Sequence, residues 1–202
     1  MSIVRIGIAG YMGAGKSTCV QLMTNDKTVV VDADKEAKWL MTNDFIIKNA
    51  LFKEFGDLIR DCDSINFGNL GKIAFSNLSA LLRLNNVVHP PLIQLLRELL
   101  FDENVENSGQ NTIILDAALI PLWNIENWFD YLLWIESPHQ TRFERLMKKY
   151  EGRIDSNELD RRMKLQEQLF DSPGSKKWKI IQNVDEISKI KDCLKIRDDH
   201  NS

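Results

Sequence analysis

Cysteine is scarce in this chain. The three present, Cys19, Cys62 and Cys193, lie far apart and form no CxxC pair. That excludes a disulfide framework and zinc-finger spacing, and it fits a reducing cytoplasm. Histidine is as rare: His89, His139 and His200 are scattered, so no imidazole metal cluster is suggested. No apolar run approaches the ~20 residues of a membrane span. The stretch Met1 to Ile8 lacks a signal-peptide layout. A basic excess is missing too, because the formal net charge is −3, which argues against a nucleic-acid partner. The expectation is a cytoplasmic chain with no membrane or nucleic-acid partner, either monomeric or weakly homo-oligomeric. Asn77-Leu78-Ser79 spells a glycosylation sequon, a chance match in such a compartment.

What is present is ordinary globular material. Hydrophobic residues make up 44% and charged residues 27%, which argues against disorder. A length of 202 residues suits one α/β domain with inserted segments. Short apolar runs at Ile3 to Ala9, Thr28 to Val31, Thr112 to Leu115, Tyr131 to Ile135 and Trp178 to Ile181 read as strands. Ser17 to Met23, Pro90 to Phe101 and Pro138 to Lys149 read as helices. Near-continuous apolar strands alternating with helices imply a five-stranded parallel sheet covered on both faces, in three layers. The core is expected at 1–40, 89–136 and 176–202. Residues 41–88 read as a helical insertion without a convincing strand. Residues 137–175 read as a charged helical lid with a break at Glu151-Gly152. Asp155 and Glu158 form a capping pattern before a helix from Asn157 to Phe170. The polar tail from Asp198 is expected to fray.

One loop carries the strongest signal. Gly10-Tyr11-Met12-Gly13-Ala14-Gly15-Lys16-Ser17 matches the phosphate-binding pattern G-x-x-x-x-G-K-[ST]. A strand precedes it and a helix follows, as the chemistry requires. Glycines let the backbone wrap phosphate oxygens with its N–H groups turned inward. The following helix adds its positive end. Lys16 is placed to reach the β- and γ-phosphates, and Ser17 to give a hydroxyl to Mg²⁺. The expected nucleotide contacts are Gly10, Met12, Gly13, Ala14, Gly15, Lys16, Ser17 and Thr18.

Other residues narrow the class. No Asn-Lys-x-Asp base-reading motif is present, so a Ras-like GTPase is disfavoured. Asp32-Ala33-Asp34 follows the second strand, where α/β proteins bind ligands. One of these acids is a candidate base for an attacking hydroxyl, or a Mg²⁺ ligand. The plain alternative is capping of the next helix, with Asp34 the better placed. Asp116 ends Ile113-Ile114-Leu115-Asp116 like a Walker B acid, a second candidate for Mg²⁺, against a simple strand-end acid. The lid region holds Arg142, Arg145, Lys148, Lys149, Arg153, Arg161, Arg162 and Lys164. Arginines brought over a moving phosphoryl group stabilise its charge, although most such residues simply solvate exposed helices. Core packing is expected for most of Trp39, Trp123, Trp128, Trp134 and Trp178, with Trp123 the best candidate for stacking on a ligand. Cys19 reads as an inert buried thiol. Together these residues describe a phosphotransferase acting on a small hydroxyl compound.

The ordered set of motifs resembles the dephospho-coenzyme A kinase family over nearly the whole chain. The pieces are Ile6-Gly7-Ile8-Ala9-Gly10 leading to Gly15-Lys16-Ser17-Thr18, then Val31-Asp32-Ala33-Asp34, Phe55-Gly56, and Leu70-Gly71-Lys72-Ile73-Ala74-Phe75. Val88-His89-Pro90, Gln140, Arg145-Leu146, Lys148, Arg161-Arg162-Met163-Lys164-Leu165-Gln166 and Ile180-Ile181-Gln182-Asn183 follow in order. The resemblance implies a P-loop kinase fold and transfer of the ATP γ-phosphate to the ribose 3′-hydroxyl of dephospho-CoA, with Mg²⁺. It implies Asp34 as the base, with Lys16, Arg145 and Arg162 neutralising the phosphates. It places Asn183 near the adenine, and Asp34, His89, Pro90 and Leu119 on the acceptor. The metal ligands are expected among Ser17, Asp32 and Asp116. Two stretches depart from the family pattern. Phe67 stands where an Arg is usual, and Ala118-Leu119-Ile120-Pro121-Leu122 replaces Pro-Leu-Leu-Phe-Glu. These departures keep open a nucleotide-binding regulatory homologue without turnover, and Asp32-Ala33-Asp34 after the second strand keeps open another hydroxyl kinase of the shikimate-kinase kind, against which the helical insertion and the His89-Pro90 step argue.

Overall fold

In the computed structural model, residues 3–107, 109–174 and 176–183 are described. The tail from Asp198, with Cys193 and His200, lies outside them. In chain order the elements are β1 (Val4–Ala9), α1 (Lys16–Met23), β2 (Thr28–Asp32), α2 (Ala33–Asn43), α3 (Phe45–Phe55), β3 (Arg60–Asp61), β4 (Ser64–Ile65), α4 (Phe67–Ala74) and α5 (Leu78–Leu100). Then come α6 (Glu103–Asn107), β5 (Thr112–Asp116), α7 (Ile120–Trp123), β6 (Tyr131–Glu136), α8 (His139–Tyr150), α9 (Ser156–Leu169) and β7 (Lys179–Gln182). The chain forms two compact units: Met1–Val31 with Asp102–Ser202, and Asp32–Phe101.

The first unit is built on a five-stranded parallel sheet of order β2-β5-β1-β6-β7. β1 is central: Ile6 pairs with Ile114 of β5 and with Tyr131 of β6. Covering both faces explains why these strands are apolar without alternation. Ile8, Ile114, Leu133, Ile135 and Ile181 are almost wholly buried, and Ala14, Cys19 and Val20 pack with them. All five strands expected from the apolar runs are present, each within a residue or so of its expected limits.

The second unit is helical, and the sequence reading needs two corrections there. The helix expected from Pro90 begins at Leu78 and runs unbroken through Pro90 and Pro91. A proline inside a helix costs roughly 3 kcal/mol through its missing N–H and a clash with an earlier carbonyl. One buried stripe, Leu81, Val88, Leu92, Leu96 and Leu100, spans the break and offsets this, at roughly 1.5–3 kcal/mol per side chain. Asn77 caps the true start by accepting from the Ala80 amide at 2.9 Å. The other correction is a small antiparallel hairpin, β3 with β4, where no strand was expected. The insertion read as 41–88 lies within this unit, and its expected end falls in the middle of α5.

The expected lid segment carries α8 and α9, which belong to the first unit. Glu151 and Gly152 take left-handed backbone angles between them. Asp155 caps α9 by accepting from Asn157 and Glu158 amides at 2.9 and 3.1 Å, as the capping pattern implied. Leu146, Leu159 and Met163 form the buried seam of the hairpin.

Candidate functional site

The loop from Gly10 to Ser17 has a shape that few side chains allow. At Gly10 (φ 150°) an added Cβ would sit 2.4 Å from the carbonyl oxygen of Ile135, so the loop passes flush over the end of β6. At Gly15 (φ 101°) a Cβ would meet Asn183 Nδ2 at 2.1 Å. That amide is there for a reason: it donates to the Ala14 carbonyl at 2.7 Å. Ala14 in turn donates to the Tyr11 carbonyl at 3.1 Å. The first intrahelical bond of α1 runs from Cys19 to Gly15, so the amides of Lys16, Ser17 and Thr18 open the helix without helical acceptors. No side chain caps them and no acid sits in the first turn. This is an anion-ready helix end, with Lys16 beside it.

The hairpin α8–α9 packs on the start of the loop. Met12 donates its N–H to Gln166 Oε1 at 2.7 Å. Its side chain lies against Leu146, Leu159 and Met163. Tyr11 donates its hydroxyl to the Phe170 carbonyl at 3.0 Å and rests edge-on against Trp134. Burial, with the charges of Glu167 and Asp171, pushes the Tyr11 phenol up, so it stays a donor. Met12 was expected among the nucleotide contacts; in this structure its amide donates to Gln166 Oε1.

Beneath Tyr11 lies a charged network that the motifs did not reveal. Arg142 is 3% exposed. Its Nε donates to the Ser137 carbonyl at 3.0 Å, its Nη1 reaches the Met12 carbonyl at 3.5 Å, and its Nη2 pairs with Glu167. The guanidinium lies over the Tyr11 ring, 5.1 Å from its centroid. Burial alone would raise the Glu167 carboxyl, but donors from Arg142 and His139 outweigh it and hold it below its usual range. His139 sits between two acids of α9, Glu167 at 3.0 Å and Asp160 at 3.1 Å. Lys164 completes the row on Asp160. A weak signal existed: His139 and Arg142 share a face of α8, as Asp160, Lys164 and Glu167 share one of α9.

The remaining expected residues divide. Arg145 donates to Ser137 Oγ at 3.1 Å and to the Asn183 carbonyl at 3.2 Å, so it joins α8 to the end of β7 beside the loop. Arg162 pairs with Glu158 on its own helix. Asp116 ends β5 level with Ile8 of β1. The Cys19 thiol is pushed up to about 12 by burial, with the charge of Asp116 adding to it. A thiol held protonated in this way is inert, as expected of Cys19. Leu119 stands just ahead of α7. Asp34, His89 and Pro90 lie in the second unit. Asp32, not Asp34, caps α2: its Oδ1 accepts from the amides of Asp34 and Lys35 at 3.1 and 3.2 Å. Asp34 sits in the first turn with its carboxylate uncommitted to the cap. His89 lies inside α5, where burial lowers its imidazole from 6.5 to about 4. Trp134 and Trp178 are core residues, whereas Trp39 is 55% exposed.

Ser17, Asp32 and Asp116 offer only hard oxygen donors, the chemistry Mg²⁺ takes. Asp32 is engaged by two amides and by Lys35. Among the described residues no cluster of three or more metal-ligating side chains exists. A nucleotide-borne Mg²⁺ needs only one or two carboxylates, because phosphate supplies further oxygens.

A phosphate loop joining the central strand of a parallel sheet to a helix, with a basic hairpin packed on the loop, defines a P-loop kinase. The family model for dephospho-CoA kinase (CoaE) matches residues 4–186, and the chain belongs to that family. A dephospho-CoA kinase of Bacillus licheniformis is 28% identical over 190 residues, covering 93% of this chain and 90% of the relative. One of Fusobacterium nucleatum is 29% identical, covering 74% and 75%. Among solved structures, a Thermus thermophilus protein aligns with TM-score 0.67 at 22% identity over 96% of each chain. Dephospho-CoA kinase from Campylobacter jejuni aligns with TM-score 0.54 at 22% identity over 95% of this chain and 94% of its own. At that identity the two structures speak for the fold.

Proposed function

We propose that this protein transfers the γ-phosphate of ATP to the ribose 3′-hydroxyl of dephospho-CoA, the final step of coenzyme A biosynthesis. The observation that carries the reading is the family match across residues 4–186 together with an unaltered phosphate loop. In this scheme the amides opening α1 and the Lys16 ammonium hold the β- and γ-phosphates. Asn183 and the hairpin keep the loop in shape. Arg145 and Arg162 add positive charge over the transferring group. Asp34 accepts the proton of the attacking hydroxyl; its carboxylate is not used for capping, which leaves it available. His89, Pro90 and Leu119 belong to the acceptor side. Ser17, with Asp32 or Asp116, would hold Mg²⁺, which supplies charge neutralisation on the phosphates when bound. Closure of the basic hairpin excludes water, so that ATP is kept for the acceptor. Among the described residues no helix is long and apolar enough to cross a membrane; a cytoplasmic enzyme, monomeric or weakly self-associating, completes the proposal.

The test is ADP release by purified protein with Mg-ATP and a panel of hydroxyl acceptors. Release should depend on dephospho-CoA. No dependence on that acceptor overturns the proposal, and a response to shikimate instead would point to a different hydroxyl kinase.

A further inference from the structure

We propose that Gln166 is a positioning residue for the nucleotide site, through which the seating of the α8–α9 hairpin sets the shape of the phosphate loop. The inference rests on the kinase reading above for its consequence in catalysis, but not for its physical basis.

Three separate parts of one loop residue are gripped by one hairpin. The Met12 N–H goes to Gln166 on α9 at 2.7 Å. The Met12 carbonyl faces Arg142 on α8 at 3.5 Å. The Met12 side chain enters the seam of Leu146, Leu159 and Met163 from both helices. Arg142 is itself held by Glu167, the neighbour of Gln166, and Glu167 by His139. Packing alone would ask only for an apolar side chain at residue 166. The amide group is used, and it is used on the loop. Immediately after Met12 comes Gly13, with φ 78°, where the backbone turns towards the phosphate-facing stretch. Met12 is thus the fixed post from which that turn departs.

Two consequences follow. Because the loop is held in shape before nucleotide arrives, binding does not bear the cost of ordering it. By linkage, nucleotide that favours this loop shape also favours a seated hairpin. Hairpin position and phosphate binding become one coupled equilibrium, with Gln166 at the joint.

The experiment compares Gln166→Met, which keeps length and packing but loses the acceptor, with Gln166→Glu, which keeps an acceptor. Binding of Mg-ATP without any acceptor substrate is measured by calorimetry, so a failure of the dephospho-CoA reading would leave this test intact. Gln166→Met should weaken Mg-ATP binding about tenfold, because the released loop must then be ordered on binding. Its thermal midpoint should stay close to the native one, and amide exchange should quicken in the peptide containing Met12 while that of β6 is unchanged. Gln166→Glu should retain the Met12 protection. The KM for acceptor should stay near native in both. The inference is overturned if Gln166→Met binds Mg-ATP as tightly as the native protein or more tightly. It is equally overturned if Met12 exchange is unaltered, or if any loss of binding merely tracks global unfolding.

Discussion

The phosphate loop and the helical unit Asp32–Phe101 are held together in different ways. Loop residues are fixed by partners far along the chain: Arg142 on Met12 across 130 residues, Phe170 on Tyr11 across 159, and Asn183 on Ala14 across 169. In the helical unit the polar contacts are local. Asp32, Asp44, Asn66 and Asn77 each cap the helix that follows them, and Arg83 reaches Glu54 across 29 residues. The helices then close on apolar stripes, leaving Trp39, Phe45, Ile46 and Leu58 largely exposed. A loop that must present backbone N–H groups to phosphate tolerates little change of shape. A helical unit that packs by stripes tolerates much more.

The contrast can be broken most severely at Gly15. Gly15→Ala sets a methyl 2.1 Å from Asn183 Nδ2 at a φ of 101°, so both the turn and the Asn183 brace must give way. Mg-ATP binding should be lost by calorimetry while the circular-dichroism spectrum persists; unaltered binding would mean that the Asn183 brace does not shape the site. Next in size is Asp34→Asn, in the helical unit. Turnover should fall by ~10²-fold or more, as for loss of a positioned base, with ATP binding nearly intact. Equal turnover would move the base role to another group.

The mildest test concerns His89. Its folded pKa of about 4 lies below the ordinary 6.5, because burial disfavours the charged ring. Between those values the unfolded chain binds more protons than the folded one, so stability rises with pH. The thermal midpoint should therefore decline as pH falls from about 6.5 towards 4, and His89→Gln should flatten that decline. An unchanged slope in the variant would assign the acid sensitivity to other groups.

How far these two regions were legible in sequence follows from the same contrast. The five strands were readable because burial on both faces demands unbroken apolar runs. The loop was readable because phosphate chemistry fixes glycine, lysine and hydroxyl at set spacing. The cap at Asp155 was readable because capping is local. The passage of α5 through Pro90 and Pro91 was not, since the stripe that outweighs the local cost is satisfied only by tertiary packing. Nor was the two-residue pairing of β3 with β4, which is too short for any periodicity. Asp32 rather than Asp34 caps α2 because the helix starts at Ala33, two residues earlier than a cap at Asp34 would place it. The Arg142–Glu167–His139 network stayed hidden because its members come from two helices, and only the hairpin sets them side by side. Arg145 and Asn183, expected at the phosphates and the adenine, are joined to each other beside the loop, a contact no spacing rule encodes.

The proposed function pairs the phosphate loop with a dephospho-CoA acceptor. Phosphorus NMR of the product formed from Mg-ATP and dephospho-CoA tests it most directly. One new phosphomonoester on the ribose 3′ position is expected, in amounts equal to the ADP released. ADP without that resonance, or phosphate on a different position, would contradict it.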